Sequence, residues 1–315
     1  MLTRARATAL LFGAAALGAV RTPIRAQAVP LALKIPIQPQ EAAMNVAYGA
    51  DMGFFSAVGL DVSVQIVQNS SAIVASVVSG AYPIGYGSID TLAAIYRKNV
   101  PLAVLAPAGE WVLPASEHLV AILVPPGSTL RSAKDLNGKT VAVPTLHSLS
   151  ETTVLAWSDK NGGDSSSIKF VEIPYPAIPA ALASNRVDAG LAVEPFLTPA
   201  LKIARVFAYP ISAVASHCLV GSFFATPQWA KDNRDVAARF IAGMKRASTW
   251  ANANPEKSAP ILAKYTNIDP GVIATMGRVH FGETLIASEM QPLIDVSAKY
   301  NGFATFPAQE LIYRP

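Results

Sequence analysis

A single cysteine, Cys218, occurs in the 315 residues, so no disulfide can form within the chain. Beyond the first residues, no apolar run reaches the roughly 20 residues of a membrane span without a charge or a proline interrupting it. There is no His-Glu-x-x-His, no paired cysteine, no phosphate loop ending in Gly-Lys-Ser/Thr and no Gly-x-Ser-x-Gly elbow. Gly85-Tyr-Gly87 lacks the third glycine of a dinucleotide fingerprint and reads as a tight turn from strand to loop. The four histidines, His118, His147, His217 and His280, have no ligand spacing, so no metal and no cofactor are expected. An excess of one charge is missing too. The surplus of Lys and Arg comes from Arg4, Arg6, Arg21 and Arg25, and without them 21 basic residues face 21 acidic ones. A nucleic-acid or acidic-membrane partner is therefore not expected.

Those four arginines flank an export signal. Arg4 and Arg6 precede the apolar stretch Ala7 to Val20, and Ala26-Gln27-Ala28 offers a small-x-small cleavage site, which predicts a signal peptide over 1–28 and a mature start at Val29. No cysteine stands at the cleavage site to carry a lipid. The expectation is a soluble monomer in the bacterial periplasm, large enough for two lobes.

What is present is a repeat. Ile73 to Ser88 and Ile178 to Val193 follow one pattern 105 residues apart, with Ser79 matching Ser184, Gly80 matching Asn185 and Gly85 matching Gly190. Each copy reads as an amphipathic helix, a left-handed cap and a short buried strand. Strand and helix alternate on either side of both copies, which argues for a doubly wound parallel sheet in each of two facing α/β lobes. A strand is predicted at Leu31–Ile37, a helix from about Gln40 to Ala57, and a strand over Cys218–Ala225. Gly109 to His118 and Pro210 to His217 read as irregular, and Thr226-Pro227, Asn254-Pro255 and Asp269-Pro270 as helix starts. The C-terminal helices have no strand series of their own and are expected to complete the first lobe. Lobe I then comprises 29–110 and 218–315, lobe II comprises 111–217, and two crossovers make a hinge.

Candidate ligand-binding residues sit where strands end and helices begin, because a helix N-terminus presents free N–H groups and partial positive charge. These are Asn69, Ser70 and Ser71; Gly87, Ser88 and Asp90; and Thr145, His147 and Ser148, beside Ser150. Glu194 ends an apolar strand, where a carboxylate is costly unless it is paired or solvated. Trp111 and Tyr175 would cover a flat ligand face. Gln38 and Gln40 follow the first strand. For each, a purely structural role as cap, loop or core is the alternative.

Met52-Gly-Phe-Phe55 with Gly59-Leu-Asp-Val62, the first repeat, Ser132 to Val143, and Arg186-Val-Asp-Ala-Gly190 through Glu194-Pro195 together resemble the solute-binding proteins of ABC importers for nitrate, sulfonates, taurine and thiamine-pyrimidine precursors. The resemblance spans most of Leu31 to about Thr198. It implies the type II periplasmic-binding fold, closure about a hinge on a small polar or anionic organic ligand, and transient delivery to an inner-membrane ABC permease. It also implies ligand contacts at Gln38, Asn69 to Ser71, Gly87-Ser88 and Thr145 to Ser148. The chain departs from the pattern at Pro83, where an acid is usual, and at Pro144-Thr-Leu-His147, which replaces a glycine-serine start and leaves room for a larger organic ligand. Other readings are an enzyme on the same fold, since relatives make the thiamine pyrimidine, and a ligand sensor docking to a membrane receptor. The single cysteine and dispersed histidines speak against the enzyme.

Overall fold

The computed structural model describes residues 30–314, so the expected export signal lies outside the described residues. Strands β1 (Leu31–Ile37) and β2 (Leu60–Ile66) pair in parallel. β3 (Gly85–Ser88) lies beside β1. β4 (Ala103–Pro107) is reached through the helix Ile89–Tyr96. The chain then leaves this sheet along β5 (Gly109–Val112). A second sheet forms from β6 (Val120–Val124), β7 (Thr140–Val143), β8 (Lys169–Glu172), β9 (Ala189–Val193) and β10 (Arg205–Ala208), in the order β10-β6-β9-β7-β8. The chain returns through β11 (His217–Leu219), and β12 (Gly221–Ala225) inserts between β3 and β4. The short β13 (His280–Phe281) pairs with β5.

The two sheets share one plan. In each, the first strand of the local series lies between the second and the third and pairs in parallel with the second (β1 with β2, β7 with β8). In each, a strand from outside the series runs antiparallel between the third and fourth: β12 between β3 and β4, and β6 between β9 and β10. The expected all-parallel sheets are thus mixed. An entering strand does not need the long crossover of a parallel pair, so it can turn directly off the connection between lobes.

The repeat is visible atom by atom. Gly80 and Asn185 both adopt left-handed backbone, at φ +79° and +53°. A Cβ on Gly85 would lie 2.9 Å from Ile73 Cγ2, and one on Gly190 would lie 2.6 Å from Ile178 Cγ2. Ile73 and Ile178 are themselves matching positions, so each copy seats an isoleucine of the helix on a bare strand. Gly85→Ala and Gly190→Ala should each cost about 1–3 kcal/mol by overpacking. Gly80→Ala meets no atom and should cost about 1–2 kcal/mol from its left-handed backbone alone. Urea unfolding of the three variants gives the comparison.

Several boundaries differ from expectation. The helix predicted over 40–57 is a single-turn 3-10 element at Glu41–Ala43 and a short α-helix, Asn45–Asp51, with Gly53 turning left-handed at φ +73°. Gly109 to Val112 is a strand rather than irregular, because it finds partners in β11 and β13 that lie far away in sequence. The strand expected over 218–225 is two strands broken at Val220. The three Pro-led helices begin at Pro227, Pro255 and Pro270. Thr226 and Asp269 cap theirs by side-chain bonds, whereas Asn254 donates back to Trp250 O at 2.9 Å. Helix Arg234–Ala253 returns to the first sheet's side, where Phe240 stacks on Phe55 at 5.6 Å.

Candidate ligand cleft

Three helices begin around one cavity. Ser70 opens the helix Ser70–Val78, Ser88 caps Ile89–Tyr96, and Ser148 caps Leu149–Lys160. All three serines are buried and line a cavity of about 610 Å³ of empty space, mouth included. The strands explain the convergence. β3 ends at Ser88 and β7 ends just before Pro144, so the helices that follow them start at the same edge of the two sheets. Ser88 and Ser148 do not spend their hydroxyls as caps: Ser88 donates to Thr91 Oγ1 at 2.9 Å and Ser148 to Thr145 O at 2.6 Å. Ser70 Oγ is buried with no hydrogen-bond partner among the described residues.

Around this polar rim the walls are flat and apolar. Trp111 on β5 and Tyr175 after β8 both line the cavity, each 5% exposed, and Tyr175 stacks on Phe196 at 6.1 Å. Leu119, Val120, Leu191, Val193, Val220 and Val279 complete the walls. Tyr175 Oη and Ser150 Oγ are 2.9 Å apart, and burial pushes the Tyr175 phenol up to about 12. Gln38 and Gln40 also face the cavity, and Gln40 donates to Gln38 Oε1 and Tyr86 Oη, both at 3.3 Å. Among the described residues, no Lys, Arg, His or Cys lines the cavity.

One carboxylate lines the cavity and another lies behind it. Glu194 is 5% exposed and accepts from Thr198 N at 3.2 Å and from Thr198 Oγ1 at 2.6 Å. Burial raises its pKa, and the Thr198 bonds oppose that shift. Asp90 is fully buried in the first turn of its helix, off the cavity surface, and neither carboxylate oxygen has a partner. Burial, chiefly, pushes its pKa up to about 7.

Of the residues proposed from sequence, Gln38, Gln40, Ser70, Ser88, Trp111, Ser148, Ser150, Tyr175 and Glu194 meet at this cavity. Six do not line it. Ser71 is exposed on the far side of its helix start. Gly87 is covered, and a Cβ there would lie 2.8 Å from Leu92 Cδ2. Asn69 caps Ala72 N at 3.0 Å and reaches across to Glu172 Oε1 at 2.7 Å. Thr145 is buried but accepts from Ser70 N at 3.4 Å, so it too ties one lobe to the other. His147 points to solvent on left-handed backbone at φ +53°, and its N–H donates to Glu151 Oε2 at 2.8 Å. Asp90 is the sixth. Polar residues at a helix start can cap or join lobes as well as bind, and these chemistries share residue types. Thr153 lines the cavity one turn after Ser150 and was missed; its i+3 spacing put it on the same helical face.

A family model described as NMT1/THI5 like matches residues 40–258. A Brucella abortus (strain 2308) protein named only as a binding protein is 24% identical over 264 residues, covering 78% of this chain and 74% of its own. The alkanesulfonate-binding protein SsuA of Xanthomonas axonopodis pv. citri, solved bound to MOPS, superposes with a TM-score of 0.74 at 18% identity, covering 91% of this chain and all of that one. The periplasmic nitrate-binding protein NrtA of Synechocystis PCC 6803 gives 0.63 at 15% identity over 90% of this chain and 75% of that one. The fold is that of the periplasmic binding proteins.

Proposed function

The chain belongs to the NMT1/THI5-like family, and from that premise we propose that it is a non-enzymatic periplasmic receptor that captures a small organic solute and delivers it to an ABC permease. Lobe I (29–110 with 218–315) and lobe II (111–217) would close on the ligand by rotating about the paired strands β5 and β11. The observation that carries this reading is the meeting of three helix N-termini, with the unpartnered Ser70 hydroxyl among them, at a cavity walled by Trp111 and Tyr175. The cavity lining holds no His, Cys or Lys, the side chains that most often serve as activating base, thiolate nucleophile or metal ligand, which favours holding a molecule over transforming it.

The same lining narrows the ligand. Helix N-termini and serine hydroxyls favour a carboxylate or oxo group at one end. Glu194 favours an N–H donor or a cation elsewhere on the ligand, and the aromatics favour a flat body. A bare oxyanion would gain the dipoles but would face Glu194 with no cationic side chain to offset it. The ligand class is therefore a flat, bifunctional organic molecule such as an amino-substituted heterocycle or an aromatic amino acid. A thermal-shift panel tests this: a matching compound at 100 times its Kd adds about 2.7 kcal/mol, which raises the melting temperature by several degrees. Nitrate and simple alkanesulfonates should shift it least. For the compound found, Trp111→Ala and Glu194→Gln should each weaken binding by roughly 10-fold or more, the latter only when the ligand has an N–H donor or cation. Tight binding of nitrate or an alkanesulfonate, with no response to the organic panel, would overturn the ligand assignment.

A further inference from the structure

Away from the cleft, four titratable side chains from three distant segments meet on the other face of the sheet formed by β11, β5 and β13. The register places them there. Glu110 lies opposite both Leu219 and His280, and His217 shares the face of Leu219 because side chains alternate along a strand. Trp111, the next residue along β5, lines the ligand cavity. Glu289, in the first turn of the helix Ala287–Asn301, completes the group.

His217 Nε2 lies 3.5 Å from Glu110 Oε2 and 3.7 Å from Glu289 Oε1, and one ligand atom from each of the three lies within 4.8 Å of the others. These separations are too long for hydrogen bonds. They are close to the edge of a tetrahedron with metal bonds of 2.0–2.1 Å, which is about 3.4 Å. His280 Nδ1 lies 3.2 Å from Glu110 Oε2, where it can orient that carboxylate. Glu110 is 5% exposed, so its oxygens are desolvated, whereas His217 is partly open and leaves a path for an ion.

We propose that Glu110, His217 and Glu289, with His280 as the positioning residue or a fourth ligand, form a site for a divalent first-row metal ion of the zinc class. Imidazole with carboxylate suits zinc, whereas an oxygen-only cage would suit calcium or magnesium. The ion would join both strands that connect the lobes to the C-terminal helix.

Isothermal titration of chelator-treated protein with zinc chloride tests the site. The expected result is one ion per chain, at least 10-fold weaker binding in His217→Ala and in Glu289→Gln, and a smaller loss in His280→Ala. Each variant should melt like wild type in chelator. His118→Ala and His147→Ala, at exposed histidines elsewhere, should bind as wild type does. Magnesium and calcium should not compete. The proposal is overturned if wild type binds no zinc at up to 100 µM, or if His217→Ala and Glu289→Gln bind it as wild type does.

Discussion

Arg278→Leu is expected to destabilise the protein by about 3–5 kcal/mol, the usual cost of removing one partner from a buried ion pair. Arg278 Nε bonds Glu41 Oε1, and Glu41 is fully buried. The guanidinium also reaches Ser258 Oγ at 2.8 Å and Tyr48 Oη at 3.4 Å. Without it, Glu41 keeps only Val279 N, 3.3 Å away, as a donor. Burial already pushes the Glu41 carboxyl up to about 7 against the pull of Arg278. With the arginine gone it should rise further, so the loss should be larger at pH 8 than at pH 5, where the carboxyl can stay protonated. The double variant Glu41→Gln, Arg278→Leu should recover much of the loss, since no charge is then left buried. Urea unfolding at the two pH values checks this; an equal loss at both would refute it. The cleft would feel the change, because Gln40 and Ala42 line it and Glu41 N donates to Glu194 O at 3.3 Å across the lobes.

Asp90→Asn should have the opposite sign. The Asp90 carboxyl moves from 3.8 to about 7 on folding, with burial the largest cause. Below pH 3.8 the group is protonated whether folded or unfolded, and its protonated form contributes fully to stability. Between 3.8 and about 7 the unfolded chain releases the proton that the folded chain holds, so stability falls as pH rises. At about 1.4 kcal/mol per unit, the loss above pH 7 is on the order of 4 kcal/mol at most. Asparagine carries no charge to desolvate. The variant should therefore be more stable than wild type at pH 8, comparable to it near pH 4, and flatter between. Melting temperatures across that range give the answer, and a variant less stable at pH 8 would sink the idea.

The lobes and the cleft were legible for different reasons. Gly80, Asn185, Gly85 and Gly190 are local requirements, a left-handed cap or a bare strand under an isoleucine, and such requirements restrict residue type strongly enough to repeat visibly. Ser70, Ser88 and Ser148 could be found because helix starts leave a local pattern of polar residues. The division of labour among their neighbours could not. Whether Asn69 or Thr145 binds, caps or joins the lobes depends on Glu172 and Ser70, which arrive from 103 and 75 residues away. His217 and His280 looked dispersed for the same reason: antiparallel register brings them to Glu110, and nothing in either segment's own sequence announces it.

The absence of Lys and Arg from the cavity bears on the kinetics of capture. The field of a helix end fades within about a turn, so it orients a solute already inside the cleft without drawing one in from a distance. Association should then proceed without electrostatic steering. It should barely change with ionic strength, whereas a site built on net charge loses its long-range reach as the Debye length shrinks. Such a receptor would collect its solute equally fast in dilute and in saline surroundings.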